Sequence, residues 1–171
     1  MHKMVSVLDF KAFAVKRIRK VRKMEQRFEE FVSMINIAYK CVQKVKSYEM
    51  KSLGLKGSHV MVMYFLGTNE KGLTSGELCT KCREDKAAVS RNLQYLVKAG
   101  YIKVSEESAG KKYKVKNVLT EKGRDVYNRL SEIIAKDVEK FGEGLSSEER
   151  YAFYKTLGVI VANFDKYGAD L

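Results

Sequence analysis

The 171-residue sequence contains no proline and no tryptophan, and it has only two histidines and three cysteines. Without proline, nothing forces a helix interior to break, so long uninterrupted helices are expected. Three cysteines are an odd number without the spacing of a disulfide framework, which favours a reducing compartment. The sequence has no phosphate-binding glycine loop, no metal cluster and no plausible catalytic triad. We therefore expect no enzyme, no bound metal and no cofactor.

Long apolar runs are also missing. No segment reaches the roughly 18 consecutive apolar residues that a membrane span needs. The N-terminus has scattered lysines but no apolar core followed by a small-residue cleavage site, so a secretory signal is not indicated. The sequence thus predicts a cytoplasmic protein without a membrane partner.

Positive charge dominates the first two-thirds of the chain. The 33 basic and 21 acidic side chains give a net charge of +12. Residues 1–24 contribute +7, residues 25–119 contribute +7, and residues 120–171 contribute −2. Excess positive charge favours nucleic acid as a partner, through phosphate contacts and release of counterions.

The thirty residues from Leu73 to Ile102 contain a series of helix boundaries. Thr74, followed three residues later by Glu77, predicts a reciprocal capping box at the start of a short helix. Asp85 is a good N-cap for a second helix, and Gly100 supplies the left-handed residue that commonly ends one. The second helix has apolar residues at three-to-four spacing: Val89, Leu93, Leu96 and Val97. Two short helices joined by a tight turn are typical of a helix-turn-helix, whose second helix enters the DNA major groove.

These motifs resemble those of MarR-family winged helix-turn-helix regulators. The matching residues run in order along the chain: Glu77-Leu78, Asp85-Lys86, Val89-Ser90-Arg91, Leu96, Gly100, Ile102 and Leu119-Thr120-Glu121-Lys122-Gly123. In element order the resemblance covers Phe28 to Phe164. It implies an obligate homodimer that binds pseudo-palindromic sites in double-stranded DNA and often releases them on binding a small-molecule effector or on oxidation.

The expected fold is mainly α-helical with a small β-hairpin wing, a winged helix-turn-helix flanked by N- and C-terminal dimerisation helices. We expect a basic N-terminal extension at 1–24, a dimerisation helix at 25–55, the DNA-binding domain at 56–119 and two further dimerisation helices at 120–171. Three alternatives remain open for residues 1–24. Apolar spacing from Val5 to Ile18 favours an extra helix packing on the dimer, over an arm on DNA phosphates or a membrane-surface helix.

The second helix of the motif has an outward face that we expect to read DNA. With its apolar residues inward, the side chains left for bases and phosphates are Lys86, Ala87, Ser90, Arg91 and Gln94. Arginine can hydrogen-bond guanine, glutamine can hydrogen-bond adenine, and a small alanine can lie against a thymine methyl. Thr74 and Ser75, at the start of the preceding helix, could donate to a phosphate.

Residues 101–119 predict the wing, with strands at 101–104 and 112–119. Alternation along the second strand puts Lys112, Lys114 and Lys116 on one face, suited to a phosphate backbone. A solvated edge strand that blocks aggregation is the alternative. MarR-like proteins usually place an acidic residue, and an arginine two positions later, shortly before the leucine–threonine motif. Here those places hold Lys111 and Tyr113, so Lys111, Lys112 and Lys114 are expected to contact phosphates.

Two further sites are hypotheses. By the resemblance, an effector would lodge between the dimer helices and the DNA-binding lobe, where Tyr39, His59, Met63 and Tyr64 could line a pocket or could simply be core. Cys41 could be a peroxide-sensing thiol or a small apolar side chain. The register of the helix-turn-helix places Cys79 and Cys82 where apolar residues normally pack.

The leading functional hypothesis is a dimeric, sequence-specific transcriptional regulator, a repressor. The alternative is a nonspecific or architectural DNA-binding protein, in which affinity depends on salt but hardly on sequence.

Overall fold

The computed structural model describes residues 7–105 and 114–169, with side chains from Lys16 onward except that of Ile18. Lys111 and Lys112, two of the predicted wing contacts, lie outside the described residues. The chain forms two compact units, Met1–Ser58 and His59–Leu171.

The first unit is dominated by one long helix, α1 (Val7–Ser52), of 46 residues. Its length agrees with the absence of proline. The expected separation between a 1–24 extension and a 25–55 helix is not visible in the backbone, since the helix runs through residue 24 without a break. After α1 the chain turns at Gly54, whose φ of 68° is left-handed. The amides of Leu53 and Leu55 both donate to the Met50 carbonyl and tighten this turn.

The second unit contains the remaining helices and all the strands of the described residues. A single 3-10 turn (Gly57–His59) leads into α2 (Val60–Gly67). The order then runs β1 (Leu73–Thr74), α3 (Ser75–Cys82), α4 (Lys86–Lys98), β2 (Ile102–Val104), β3 (Lys116–Leu119), α5 (Glu121–Phe141) and α6 (Ser147–Ala169). This mainly helical architecture with a small antiparallel sheet confirms the predicted fold class.

The sheet has three strands rather than the two of a simple hairpin. β3 lies in the centre and pairs antiparallel with β1 and with β2. The sequence pattern did not predict strand β1, because two residues are too few to show alternation. The predicted second wing strand is also too long. Among the described residues the strand starts at Lys116, and Lys114 has a φ of 55°, so the backbone of Lys114 is not extended.

The core of the second unit forms where α2, α3, α4 and the sheet meet. Val89, Leu93 and Leu96 of α4 are buried, as their spacing predicts. They share the interior with Met63 and Leu66 of α2, Leu73 of β1, Leu78 of α3 and Ile102 of β2. The inward face of α4 is therefore fixed by apolar burial, and this leaves its opposite face to solvent.

Helix α4 ends beside the start of α5, at a tightly bonded junction. Gly100 has a φ of 75°, and the amide of Tyr101 donates to the Leu96 carbonyl, the pattern of a Schellman cap. The Thr120 hydroxyl donates to the Gly100 carbonyl (2.7 Å) and accepts from the Gly123 amide (3.0 Å). One side chain thus caps α5 and also satisfies the backbone after α4.

Gly123 and Lys122 complete this junction. A Cβ at Gly123 would overlap the Tyr101 carbonyl oxygen, so only glycine permits this approach of α5. Lys122 donates to the Ala99 carbonyl (2.8 Å) and places its ammonium 4.4 Å from the centre of the Tyr101 ring. A cation at the carboxyl end of α4 is favourable for the helix dipole. These contacts account for three residues of the Leu119–Gly123 motif: Thr120, Lys122 and Gly123.

Helices α5 and α6 extend beyond this core. The α6 start has a reciprocal capping box between Ser146 and Glu149, as expected for a serine before that helix. Helix α6 has no buried residue, and its aromatic and aliphatic side chains are exposed: Tyr151, Phe153, Tyr154, Val159, Val161, Phe164 and Tyr167. An exposed apolar surface of this extent is typical of an interaction site.

Gly123→Ala should destabilise the protein by about 1–3 kcal/mol, the usual cost of forcing a methyl group into occupied space. Equilibrium urea unfolding would measure this loss. Gly76→Ala is the matched control, because a Cβ at Gly76 meets nothing within 4 Å. That control should be neutral or stabilising by up to about 1 kcal/mol, since alanine is the better helix former. Equal effects of the two substitutions would contradict the proposed close approach.

Candidate nucleic-acid interface

The outward face of α4 presents every predicted base-contacting residue to solvent. The exposed set is Lys86, Ala87, Ser90, Arg91 and Gln94. They recur at three-to-four spacing opposite the buried Val89, Leu93 and Leu96, so one face is anchored and the other is open. The thirteen residues of α4 span about 20 Å, enough to lie along a major groove about 12 Å wide.

The start of α4 is held by its predicted cap. The Asp85 carboxylate accepts from the Ala88 amide at 2.7 Å. The preceding turn contains Arg83 in a left-handed conformation (φ 54°), and its guanidinium donates two 2.9 Å hydrogen bonds to Asp165 of α6. The three-residue turn between α3 and α4 thus has defined ends, which fixes the direction of α4.

The start of α3 has the predicted capping box. The Glu77 amide donates to the Thr74 hydroxyl oxygen (3.2 Å), while the Thr74 amide donates to the Glu77 carboxylate (2.7 Å). The Thr74 hydroxyl itself donates to the same carboxylate (2.8 Å). Its proton is therefore already used in this conformation. Ser75, which is exposed, is the better placed hydroxyl for a phosphate.

The capping box also lowers the pKa of the Glu77 carboxyl group. The hydrogen bond from the Thr74 backbone amide, followed by that from the Thr74 hydroxyl, lowers the pKa of Glu77 below its ordinary value of 4.5. The positive charges of Lys116 and Lys81 act in the same direction. Glu77 therefore carries a negative charge beside the helix start over the whole neutral range.

A groove of about 420 Å³ joins residues that are far apart in sequence. It lies between the start of α3, the outward side of α4 and β3, and it is lined by Ser75, Ser90, Leu93, Gln94, Val97, Lys98 and Asn117. Three of the predicted contact residues, Ser75, Ser90 and Gln94, are brought together here. Lys98 was not among the predicted contact residues. Its position four residues after Gln94, on the same face of the helix, is the signal that could have indicated it.

The described part of the wing contributes one of the predicted lysines. Lys114 is exposed, and it precedes β3. Asn117 in β3 is buried, and its amide donates to the Leu73 carbonyl at 3.3 Å, so this residue links β3 to β1. The wing strands are therefore anchored next to α3, while the lysine before β3 faces solvent.

The residues of the hypothetical effector pocket have different environments. Met63 has no exposed surface and belongs to the core. His59 is buried and stacks on Tyr95 of α4, with ring centres 4.6 Å apart. Tyr64 is half-buried with an edge contact to Phe65, and Tyr39 in the first unit is exposed. The effector pocket stays a prediction.

The cysteines differ from the expected packing. Cys79 and Cys82 on α3 are half-buried rather than core residues, and Cys41 on α1 is exposed. A redox role for Cys41 stays a prediction. Among residues 7–105 and 114–169, no three histidine, cysteine or acidic side chains come together as a metal site. No helix among those residues has the length and apolar character to cross a membrane.

A helix-turn-helix with an exposed second helix and an adjoining three-stranded sheet defines a winged helix-turn-helix DNA-binding protein. Residues 53–112 match the sequence model of the MarR family. No curated protein sequence matches the chain. The predicted resemblance to the MarR family is therefore confirmed for the 60 residues that contain most of the helix-turn-helix and the start of the wing. Regulators of this family are non-enzymatic DNA-binding transcription factors.

Solved structures share the same fold. A MarR-family regulator from Silicibacter pomeroyi is 25% identical with a TM-score of 0.65, covering 76% of this chain and 86% of its own. A MarR regulator from Methanosarcina mazei Go1 is 19% identical with a TM-score of 0.70, covering 81% and 92%. A MarR-family regulator from Listeria monocytogenes in complex with a 26mer DNA is 19% identical with a TM-score of 0.71, covering 77% and 87%.

Glu77→Gln should remove a pH-dependent part of the stability. Because the pKa of Glu77 is lowered in the folded state, the stabilisation is present above the ordinary pKa of 4.5 and is lost as the pH falls through the folded value. The stability gap between wild type and variant should therefore close on acidification, as measured by urea unfolding from pH 7 to pH 3. Glu84→Gln is the matched control, because it removes an exposed carboxylate that is not part of the capping box. It shows how much of the effect comes from the loss of one negative charge alone. A gap that is constant with pH would contradict this role.

Proposed function

We propose that the protein is a homodimeric, sequence-specific transcriptional repressor that binds a pseudo-palindromic operator through the outward face of α4. The observation that carries this proposal is the division of α4 into a fully buried face and an exposed face of Lys86, Ser90, Arg91 and Gln94. These residue types hydrogen-bond base edges and phosphates in the major groove. The relative from Listeria monocytogenes with 26mer DNA supports DNA as the partner.

We assign DNA binding and dimerisation to different predicted segments of the chain. Residues 56–119 would bind DNA, and residues 25–55 and 120–171 would form the dimer. Support comes from exposed apolar surface on each of the two units. In the first, Phe28, Ile35 and Tyr39 of α1 are exposed, and in the second, Tyr154 and Val161 of α6 are 62% and 41% exposed. A two-fold dimer explains why the operator would be a palindrome.

Selection of binding sites from a randomised DNA pool, followed by affinity measurement at two salt concentrations, tests the proposed function. A two-fold site with half-sites about 10 base pairs apart is the expected result. Salt-sensitive binding without an enriched sequence would contradict it and would favour the alternative, a nonspecific or architectural protein. One feature of the sequence favours this alternative. The wing lacks the acid–arginine pair of MarR-like proteins and has Lys111 and Tyr113 in its place.

Arg91→Ala should weaken binding to the selected site by about 1–3 kcal/mol, or roughly 5- to 150-fold, and should weaken binding to random DNA much less. The reason is that a base contact discriminates between sequences whereas a phosphate contact does not. Fluorescence anisotropy on both duplexes provides the comparison. Lys155→Ala, on the exposed surface of α6, is the charge-matched control. An equal loss of affinity for both duplexes would contradict a base contact and would show that Arg91 contacts a phosphate.

Val161→Asp should shift the protein from dimer to monomer, because it places a charge on the apolar face of α6. Lys155→Asp introduces the same side chain on a different face of the helix and should leave the dimer intact. Sedimentation equilibrium measures the mass of each variant. A Val161→Asp protein that remains dimeric, with an unchanged dissociation constant, would remove α6 from the proposed interface.

A further inference from the structure

The first half of α1 has an unusual density of positive charge. Between Lys16 and Arg27 there are seven basic residues and one acidic residue, Glu25. The basic side chains of this segment are exposed. Five of them recur at three-to-four spacing and therefore share one face of the helix, which we name the basic stripe: Lys16, Arg19, Lys20, Lys23 and Arg27. The stripe is followed on the same face by Glu30, whose carboxylate accepts from Gln26 at 3.3 Å.

Within the first unit, the described side chains give the stripe no neutralising ion pair. None of the five cations has a described carboxylate of the same unit within ion-pairing distance. Pairs such as Lys16–Lys20 and Arg19–Lys23 place like charges one turn apart, which destabilises a helix. The segment is nevertheless helical. A polyanion would relieve this repulsion and would stabilise the helix at the same time.

The spacing of the stripe matches a nucleic-acid strand. The eleven residue-to-residue steps from Lys16 to Arg27 rise about 16.5 Å along the helix axis, so five cations give one charge per about 3–4 Å. A DNA strand presents one phosphate per about 3.4 Å of axis. This match in linear charge density favours a phosphate backbone.

The apolar residues of the same segment argue against a membrane surface as the partner. Val21, Met24 and Phe28 are 47%, 61% and 70% exposed, but they lie on a different face from the stripe. The same apolar face continues along α1 through Ile35, Tyr39 and Val42, the surface assigned to the dimer under the proposed function. A membrane-bound helix needs its apolar face free for lipid, whereas phosphate binding by the stripe leaves that face to the second subunit.

From these observations we propose that the basic stripe is a second DNA-binding surface, which binds the phosphate backbone without sequence preference. The inference rests on the proposed function, since it adds to operator binding by α4. The phosphates could belong to DNA flanking the operator or to a second duplex. The chemistry is the same in both cases, and the two sources are separated by experiment.

The test uses the full-length protein with Lys16, Arg19, Lys20, Lys23 and Arg27 all replaced by glutamine, a good helix former that keeps the segment helical. The matched control replaces five exposed lysines elsewhere with glutamine, so that both proteins lose the same charge: Lys40, Lys44, Lys51, Lys155 and Lys166. Far-UV circular dichroism confirms that helix content is retained.

Binding is first measured on a duplex trimmed to the selected operator, where both variants should bind like wild type. Failure of all proteins to bind any selected site would overturn the proposed function, not this inference alone.

The first arm compares that trimmed operator with one carrying 20 base pairs of flanking DNA on each side, over a series of salt concentrations. If the stripe binds the flanks, the slope of log K against log salt falls by about 0.9 for each phosphate that the variant no longer neutralises, only in the stripe variant and only on the long duplex. The second arm asks whether protein on immobilised operator captures a labelled second duplex, and whether the stripe variant loses that capture. A change in either arm supports the proposal and identifies the source of the phosphates.

The proposal is overturned if the stripe variant and the control behave alike in both arms. It is equally overturned if only binding to vesicles containing phosphatidylserine is lost, because the stripe would then be a membrane surface.

Discussion

The close approach of Gly123 to the Tyr101 carbonyl is the contact on which the arrangement of the DNA-binding unit depends. It brings the start of α5 against the end of α4, and Thr120 and Lys122 then satisfy the carbonyls left open there. The Arg124 guanidinium extends this junction by donating to the Gly67 carbonyl at the end of α2 (2.8 Å). Three helices therefore meet at one short motif, and the direction of the outward face of α4 is set relative to α5.

Under the proposed function, affinity and specificity come from different parts of the molecule. The inward side of α4 is held by apolar burial and both helix starts by caps, so Arg91 and Gln94 project from a rigid element. A rigid element is what sequence reading by hydrogen bonds requires. The positive charge of residues 1–119, by contrast, acts on any duplex, and its effect weakens as salt rises. Specific binding under the proposed function thus combines a small fixed surface with a broad electrostatic attraction.

Much of this could be predicted from sequence, because it depends on local chemistry. The caps at Thr74, Asp85 and Thr120 and the left-handed Gly100 are decided by neighbouring residues, and the structure contains all four. Other features depend on distant residues: β1 exists only because Leu73 pairs with Asn117, and Arg83 is bonded to Asp165, 82 residues away. The half-buried state of Cys79 and Cys82 likewise depends on tertiary packing, so helical register alone predicted it wrongly.

Methylation interference on the selected operator would test the central claim, that α4 reads the major groove, most directly. Dimethyl sulfate modifies guanine at N7, which lies in the major groove, and adenine at N3, which lies in the minor groove. The account predicts that guanine N7 methylation blocks binding at two clusters about one helical turn apart. Interference confined to adenine N3, or none at all, would contradict it, because the outward face of α4 would then make no base contacts in the major groove.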